Sequence, residues 1–235
     1  MAINRDASLV AAMGMLIVGT AGAGNTTFYG GTFTTFADAY GASIGTTEIT
    51  NAYARGGTSQ VRWGVGGSPD PNILTFAGVD NFVGAEDTAF VMGRVTYHNG
   101  VTQSPGTSGG AQGVTGILNA VIDSPADLGT QLFSFTYGFT LTPNNTGNPE
   151  LDGDFLNFVY PTEPAYVQVG DLRYTLAIVG FRLDNGSVLQ ELQLPEGADI
   201  GADVMARFTT DVVPAPGVAP LIALAGLGLG SRRRR

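Results

Sequence analysis

Between residues 28 and 208, apolar and β-branched residues alternate with polar residues over short stretches that Gly, Pro, Asn and Asp separate. This period of two places alternate side chains on one face of a strand, whereas an amphipathic helix needs a period near 3.6. We find no convincing helical pattern in this region, and roughly ten such stretches suit a two-sheet domain. The sequence therefore predicts an all-β fold, an antiparallel β-sandwich of jelly-roll type.

The clearest single strand covers residues 131–141, in which every second residue from Phe133 to Leu141 is apolar and is expected to face the core. Residues 37–55 are ambiguous, and the one short helix of the body is expected there. Residues 103–113, rich in Gly and Ser, are expected to form a mobile loop. Further strands are predicted at residues 59–65, 73–77, 89–97, 116–122, 155–160, 165–169 and 203–208.

The clearest hairpin has Asn185 and Gly186 at its tip, between strands predicted at residues 173–183 and 188–194. Asn-Gly tolerates the positive φ that a type I′ turn requires at both central positions. We therefore expect these two strands to pair with each other in one sheet.

The amino-acid composition excludes several classes of catalytic and metal-binding site. The chain has no Cys and no Lys, and its single His is His98. These absences exclude a thiol nucleophile, a disulfide framework, a thiolate metal site and a Schiff-base or P-loop lysine. Residues 24–211 carry 19 acidic residues and six arginines, a net charge of −13. A body this acidic repels phosphate backbones, so nucleic acid is not an expected partner.

Residues 1–23 have the features of a secretory signal peptide. Their apolar core, residues 9–18, precedes small residues, and Ala21-Gly22-Ala23 matches the small-x-small cleavage pattern. The alternative is a buried N-terminal strand or helix. We expect a helical leader that signal peptidase removes during export.

Residues 212–235 contain three parts in a fixed order. A short motif comes first, an apolar run over residues 217–230 follows, and four arginines end the chain. The run is shorter than the roughly 20 residues of a transmembrane helix, although counting from Val212 gives nineteen. The plain interpretation is an apolar anchor helix whose arginines stay on the cytoplasmic side of the inner membrane. The motif is Val213, Pro214, Ala215 and Pro216, and the arginines are Arg232, Arg233, Arg234 and Arg235.

This tripartite tail resembles the PEP-CTERM family of bacterial sorting signals, in particular its Val-Pro-x-Pro-Ala type. The resemblance implies recognition by an exosortase, a membrane transpeptidase-like enzyme that cleaves near the motif and releases or re-anchors the protein. Here Ala215 occupies the second position of the family's motif, where the family carries Glu.

The body resembles the choice-of-anchor K domain and the THxN group of PEP-CTERM proteins. The resemblance covers about residues 61–208 and rests on motifs in a shared order: Arg62-Trp63-Gly64-Val65, the segment Phe90 to Gly100, Asp154-Phe-Leu-Asn-Phe158 and Leu172 to Phe181. Thr96, Tyr97, His98 and Asn99 occupy the group's Thr-His-x-Asn segment, with Tyr97 where the pattern has His. The resemblance implies an exported β-sandwich module that bacteria tether by different anchors.

Trp63, Thr96, His98 and Asn99 form the candidate ligand-binding or structural corner. His98 follows a predicted strand and precedes a Gly-containing turn, and no nucleophile motif or second His accompanies it. A hydrogen-bonding role for this corner is therefore favoured over ligand contact, and both over catalysis.

Glu150, Asp152 and Asp154 place three carboxylates at alternate positions beside a polar loop. On a strand they would share one face, and hard oxygen ligands of this kind suit Ca²⁺. A surface acidic turn is the alternative, because the full EF-hand pattern is missing. No other cofactor is expected.

Together these features predict a secreted bacterial cell-surface or extracellular-matrix protein with a structural or adhesive role, not an enzyme. Its predicted partners are signal peptidase and an exosortase, with an exopolysaccharide as a further partner. The alternative is a carbohydrate-binding module or a carbohydrate-active enzyme on a jelly roll, which would need two facing carboxylates. Exposed aromatic side chains would serve a sugar-binding face, although in strands they are more often buried. The candidates are Trp63, Tyr97, Tyr137, Tyr160 and Tyr166.

Overall fold

A computed structural model describes residues 26–40, 46–65, 70–100, 113–125, 128–140, 146–159, 166–170 and 172–212. The predicted leader, the sorting motif, the terminal arginines, both terminal helices and most of the 103–113 loop lie outside these residues. Within the described residues the chain is all β, with no α-helix. None of the described elements is therefore a helix that could span a membrane.

The described residues form fourteen strands. In chain order these are β1 (Thr27–Tyr40), β2 (Thr46–Thr50), β3 (Thr58–Val65), β4 (Asn72–Gly78), β5 (Phe82–Ala85), β6 (Phe90–His98), β7 (Gly113–Ser124), β8 (Gly129–Thr140), β9 (Asp154–Val159), β10 (Tyr166–Val169), β11 (Leu172–Arg182), β12 (Val188–Leu189), β13 (Glu191–Leu194) and β14 (Asp199–Val212).

The strands build two antiparallel sheets. Sheet A has the order β13-β9-β8-β7-β1-β5, and sheet B has the order β10-β11-β14-β6-β4-β3-β2, with β12 paired to β11. The prediction of an all-β, antiparallel domain is thus confirmed. Strand β14 lies between β11 and β6, with Asp199–Ala206 paired to β6 and Asp203–Val212 paired to β11, which makes it a central strand of sheet B.

The two sheets share one hydrophobic core. Aromatic rings from opposite sheets pack against each other at three levels, and each buried ring contributes about 1.5–3 kcal/mol by removing apolar area from water. The pairs are Phe28–Phe208 with ring centroids 4.1 Å apart, Trp63–Phe139 at 5.3 Å and Phe158–Phe181 at 4.7 Å.

The predicted strands that correspond to β3, β4, β6 to β11 and β14 are confirmed. In β8, residues Phe133 to Phe139 alternate as expected and every second side chain is buried, while Leu132 is out of phase and exposed. The expected helix in residues 37–55 is wrong: the described residues there belong to β1, β2 and the turn after β2. Strands β1, β2 and β5 were not predicted.

Strand β1 was not predicted from the sequence because its core-facing residues include polar ones. Thr32 and Thr34 are buried in β1 and interrupt its apolar pattern. The Thr32 hydroxyl donates to the carbonyl of Met92 on β6, so its polar group is satisfied inside the core.

The hairpin prediction needs two corrections. Gly186 has positive φ (87°) but Asn185 does not, and the Gly186 amide donates to the Leu183 carbonyl at 2.8 Å. This is a three-residue loop with a left-handed glycine, not a type I′ turn. The strand predicted at residues 188–194 is split: β12 pairs with β11 in sheet B, and β13 pairs with β9 in sheet A. The chain changes sheets at Gln190 because Leu192 and Leu194 are buried in the shared core, whereas β12 is exposed.

Side chains cover the part of the β1 edge that β5 does not reach. The Asn51 amide donates to the Phe36 carbonyl at 2.9 Å and its oxygen accepts from the Phe36 amide at 2.7 Å, as a neighbouring strand would. Ser59 donates to the Thr34 carbonyl, and the Gly56 amide donates to that of Thr32. This edge is therefore closed to pairing with another chain.

Glu86 joins the first and last strands of the body. Its backbone amide donates to the Thr26 carbonyl at 3.0 Å, and it forms an isolated parallel bridge with Phe208 on β14. Its carboxylate accepts a hydrogen bond from Thr210 at 2.6 Å. The start of β1 and the end of β14 therefore lie at the same end of the body.

Candidate functional site

The corner around His98 is formed where three segments meet. His98 is the last residue of β6, Asp199 is the first residue of β14, and Asp70 stands two residues before β4. In the register of sheet B, His98 lies between Ile73 on β4 and Asp199 on β14. The two carboxylates come from positions 28 and 101 residues away in the chain.

Both ring nitrogens of His98 contact a carboxylate. Nε2 lies 2.7 Å from Oδ1 of Asp70, and Nδ1 lies 2.9 Å from Oδ1 of Asp199. The hydrogen bond to Asp70, and then that to Asp199, raises the pKa of His98 above its ordinary 6.5, while partial burial acts in the opposite direction. The imidazole side chain is 23% exposed, that of Asp70 is 41% and that of Asp199 is 73% exposed.

This geometry leaves neither ring nitrogen available for other chemistry while the corner is closed. A general base needs a nitrogen lone pair directed at a substrate, and a metal ligand needs a neutral ring with a free nitrogen. Thr96, two residues earlier on β6, is exposed and lies in register between Thr75 and Gly201. The arrangement suits a structural contact at the protein surface.

Behind His98 lies a buried amide network. Asn72 accepts hydrogen bonds at Oδ1 from the Tyr97 hydroxyl at 2.8 Å and from the Gly100 amide at 3.1 Å. Asn99 donates to the Leu194 carbonyl at 2.6 Å, which links β6 of sheet B to β13 of sheet A. Burial, with Asp154 and Glu196 nearby, places the pKa of Tyr97 well above its usual value of 10, so this hydroxyl stays a donor.

Trp63 is not at the surface of the corner. Its ring is 1% exposed and packs against Tyr97, at 5.7 Å between centroids, and against Phe139. Of the other candidate sugar-binding aromatics, Tyr137 is also buried, and the ring of the half-exposed Tyr166 lies under the guanidinium of Arg173 at 4.5 Å. Tyr160 is outside the described residues.

The expectation that Glu150, Asp152 and Asp154 share a strand face is wrong. Glu150 and Asp152 belong to a turn, and only Asp154 begins a strand, β9. Among the residues that the structure describes, these three included, no three acidic or His side chains are grouped to hold a metal ion.

Asp152 instead closes its own turn. Its Oδ1 accepts from the amide and the hydroxyl of Thr146 at 3.0 and 2.8 Å, and its Oδ2 accepts from the Gly147 amide at 2.9 Å. The carboxylate is buried and both of its oxygens are occupied by this turn. A calcium ion there would have to displace these hydrogen bonds.

Sequence reasoning identified His98 but missed its two carboxylate partners and Asn72. Asp70 and Asp199 stand just before predicted strands, which is a signal that they lie at a strand end. Which strand ends meet depends on the order of strands in the sheet, and alternation alone does not give that order.

The sequence analysis also did not identify a second cluster of charged side chains, which lies on the same face of sheet B. Asp203 on β14 accepts from Arg94 on β6 at 3.1 Å and from Arg182 on β11 at 2.8 Å, and Arg94 also reaches Asp184 at 3.0 Å. These side chains are cross-strand neighbours, so they stabilise the packing order of the three strands.

Comparison with known proteins provides no relative from which a site could be transferred. No protein-family model matches the chain, and no curated protein matches it either. A functional assignment for this chain therefore depends on its own sequence motifs and on the geometry of the His98 corner and the strands around it.

Proposed function

We propose that this chain is an exported bacterial cell-surface or extracellular-matrix protein with a structural or adhesive role, processed at its C-terminus by an exosortase. The observation that carries the proposal is the tripartite tail, which begins with Val213 immediately after the last residue of β14, Val212. A sorting signal placed there can be cut without removing any residue of a described strand. Signal peptidase would remove residues 1–23, and cleavage near the motif would then leave the body, residues 24–211, with a short remnant of the tail.

The body has properties that suit this role. It is acidic and cysteine-free, so its stability rests on the shared core and the sheet hydrogen bonds, independently of disulfide oxidation after export. Both nitrogens of its only histidine are engaged by carboxylates. These properties favour a binding or structural protein over an enzyme, and the same acidity argues against nucleic acid as a partner.

We further propose that the two sheets form a jelly-roll-like β-sandwich. Ring contacts between opposite sheets, such as Trp63–Phe139, support face-to-face packing around one core. The change of sheet at Gln190 supports the crossing connections that a jelly roll contains.

An exopolysaccharide is the proposed extracellular partner. Recognition would use polar groups, because Trp63, Tyr97 and Tyr137 are buried. The alternative of a carbohydrate-active enzyme is less well supported: Asp70 and Asp199 flank a common centre, but the imidazole of His98 fills the space between them. Glycan-array binding by the full chain would test the polysaccharide proposal.

The processing proposal is tested by expressing the full chain in a bacterium that encodes an exosortase. Mass spectrometry of the mature protein should show a start near residue 24 and an end near Val213–Pro216. A double variant, Pro214→Ala with Pro216→Ala, should keep its tail and remain in the inner membrane. The matched control, Pro195→Ala in the turn before β14, should be processed like the wild type. Equal processing of all three proteins would contradict the proposal.

A further inference from the structure

We propose that Asp70, His98 and Asp199 form a pH-operated clamp, which holds three segments of sheet B together while the imidazole is charged and releases one of them when it loses its proton. We call these three residues the His98 clamp. The inference does not depend on the proposed function.

The chemistry of the three groups requires the charged form. A neutral imidazole has one N–H donor and one acceptor nitrogen, whereas an ionised carboxylate only accepts. Both His98 nitrogens lie within hydrogen-bond distance of a carboxylate oxygen. Only the imidazolium can donate to both, so loss of its proton turns one of the two contacts into a repulsion between lone pairs.

The charged groups that face the clamp set the direction of its response. Asp70 precedes β4 and Asp199 begins β14, and both favour the protonated ring. In the register of sheet B, His98 is followed by Ile73 on β4, Arg62 on β3 and Glu48 on β2. The charge of Arg62 is paired with that of Glu48 at 3.3 Å. The clamp is therefore closed below the raised pKa of His98 and opens above it.

The contact to Asp199 is the one expected to open. Asp199 has the more exposed carboxylate, and the hydrogen bond to Asp70 is the larger contributor to the raised pKa of His98. The turn before Asp199 is held to Asn99 by two further hydrogen bonds, Asn99 amide to Ala198 carbonyl at 3.0 Å and Gly197 amide to Asn99 carbonyl at 2.7 Å. Glu196 belongs to the same turn, and its charge and that of Asp154 act on Tyr97 in the Asn72 network. The proposed release is confined to this turn.

The clamp lies far from the point where the tail begins. Asp199 and Val212 are the two ends of β14, and fourteen residues of strand span on the order of 45 Å. Opening would therefore change the charge and mobility of one end of the body without altering the other, where Glu86 joins the first and last strands.

The first test uses the fact that His98 is the only histidine in the chain. In the full chain, the imidazole NMR signals should titrate with a midpoint above 6.5, and both ring nitrogens should carry protons below it. Asp70→Asn should lower that midpoint more than Asp199→Asn does. Asp184→Asn is the matched control, because it removes an exposed carboxylate that pairs with Arg94, and it should leave the midpoint unchanged. A wild-type midpoint at or below 6.5 would overturn the proposal.

The second test measures opening. Hydrogen exchange of the Asn99 and Gly197 amides, corrected for the chemical exchange rate, should lose protection as pH rises through the His98 midpoint. Exchange of amides in β11 should not change over the same range. In His98→Gln the protection of these two amides should be low and independent of pH, while Asp184→Asn should behave like the wild type. Protection in the wild-type chain that stays constant across the midpoint would show that there is no clamp.

Discussion

Nε2 of His98 lies 2.7 Å from Oδ1 of Asp70, and this contact ties the last residue of β6 to the segment that enters β4. The two residues are 28 positions apart in the chain. Because the pKa of His98 is raised in the folded protein, the contact stabilises the folded state more strongly when the ring is protonated than when it is neutral.

The additional stability that protonation of His98 gives should be present below the unfolded pKa near 6.5 and should be lost as pH rises through the higher folded pKa. Asp70→Asn breaks a partly exposed ion pair. It should therefore lower the free energy of unfolding by about 0.5–1 kcal/mol at pH 6 and by much less at pH 9. Urea unfolding followed by Trp63 fluorescence measures both values. An equal loss at the two pH values would contradict the assignment.

Asn72→Ala should be considerably more destabilising, because it leaves two buried donors, the Tyr97 hydroxyl and the Gly100 amide, without their acceptor. At about 1–3 kcal/mol for each of the two unsatisfied groups, the expected loss is about 2–6 kcal/mol. Tyr97→Phe alone removes one donor and should cost about 1 kcal/mol. In a double-mutant cycle, Asn72→Ala should cost less in the Tyr97→Phe background; strict additivity would argue against the shared network.

Asn51→Ala should expose the edge of β1. The substitution removes both hydrogen bonds to the Phe36 backbone, so we expect a loss of about 1–3 kcal/mol and concentration-dependent self-association through the open edge. Asn185→Ala is the matched control, because Asn185 only accepts from Ser187 in an exposed turn. Urea unfolding measures the loss of stability, and sedimentation velocity measures the self-association. An Asn51→Ala chain that stays monomeric would contradict the predicted self-association.

Calcium should not stabilise the protein through the Glu150–Asp154 segment. Asp152 already accepts hydrogen bonds at both oxygens, so the melting temperature should be the same with excess calcium and with a chelator. Asp152→Ala should lower the free energy of unfolding by about 1–3 kcal/mol in both conditions, because the charged hydrogen bonds that close the turn to Thr146 and Gly147 are lost. A calcium-dependent rise in the wild type that this variant loses would restore the metal interpretation.

The strands that were predictable are those whose side-chain pattern is purely local. Phe133, Phe135 and Phe139 in β8 alternate in sequence and are buried in the structure, because period-two alternation is the sequence property that burial on one face demands. Strand β1 was missed because its core face includes Thr32, whose hydroxyl donates to a carbonyl sixty residues away and accepts from the Val79 amide.

Pairing between distant strands was not predictable for the same reason. Nothing in residues 188–194 indicates that β12 and β13 belong to different sheets, since both contain apolar residues, Val188 and Leu189 in β12 and Leu192 and Leu194 in β13. Likewise, His98 was identifiable as a corner residue, but its chemistry is set by Asp70 and Asp199, which strand order brings to it. The local residue pattern predicts individual strands, whereas the charge state of His98 depends on which strand ends the sheet topology brings together.

The central position of β14 also has a mechanical consequence. A pull on the chain at Val212, directed away from the body, acts along the axis of a strand that is hydrogen-bonded to β11 on one side and to β6 on the other. Both ladders are then loaded in shear, so many hydrogen bonds must yield together, whereas an edge strand pulled sideways would lose them one after another. Any tether attached after residue 212 therefore transmits its tension into the most strongly held strand of the sheet.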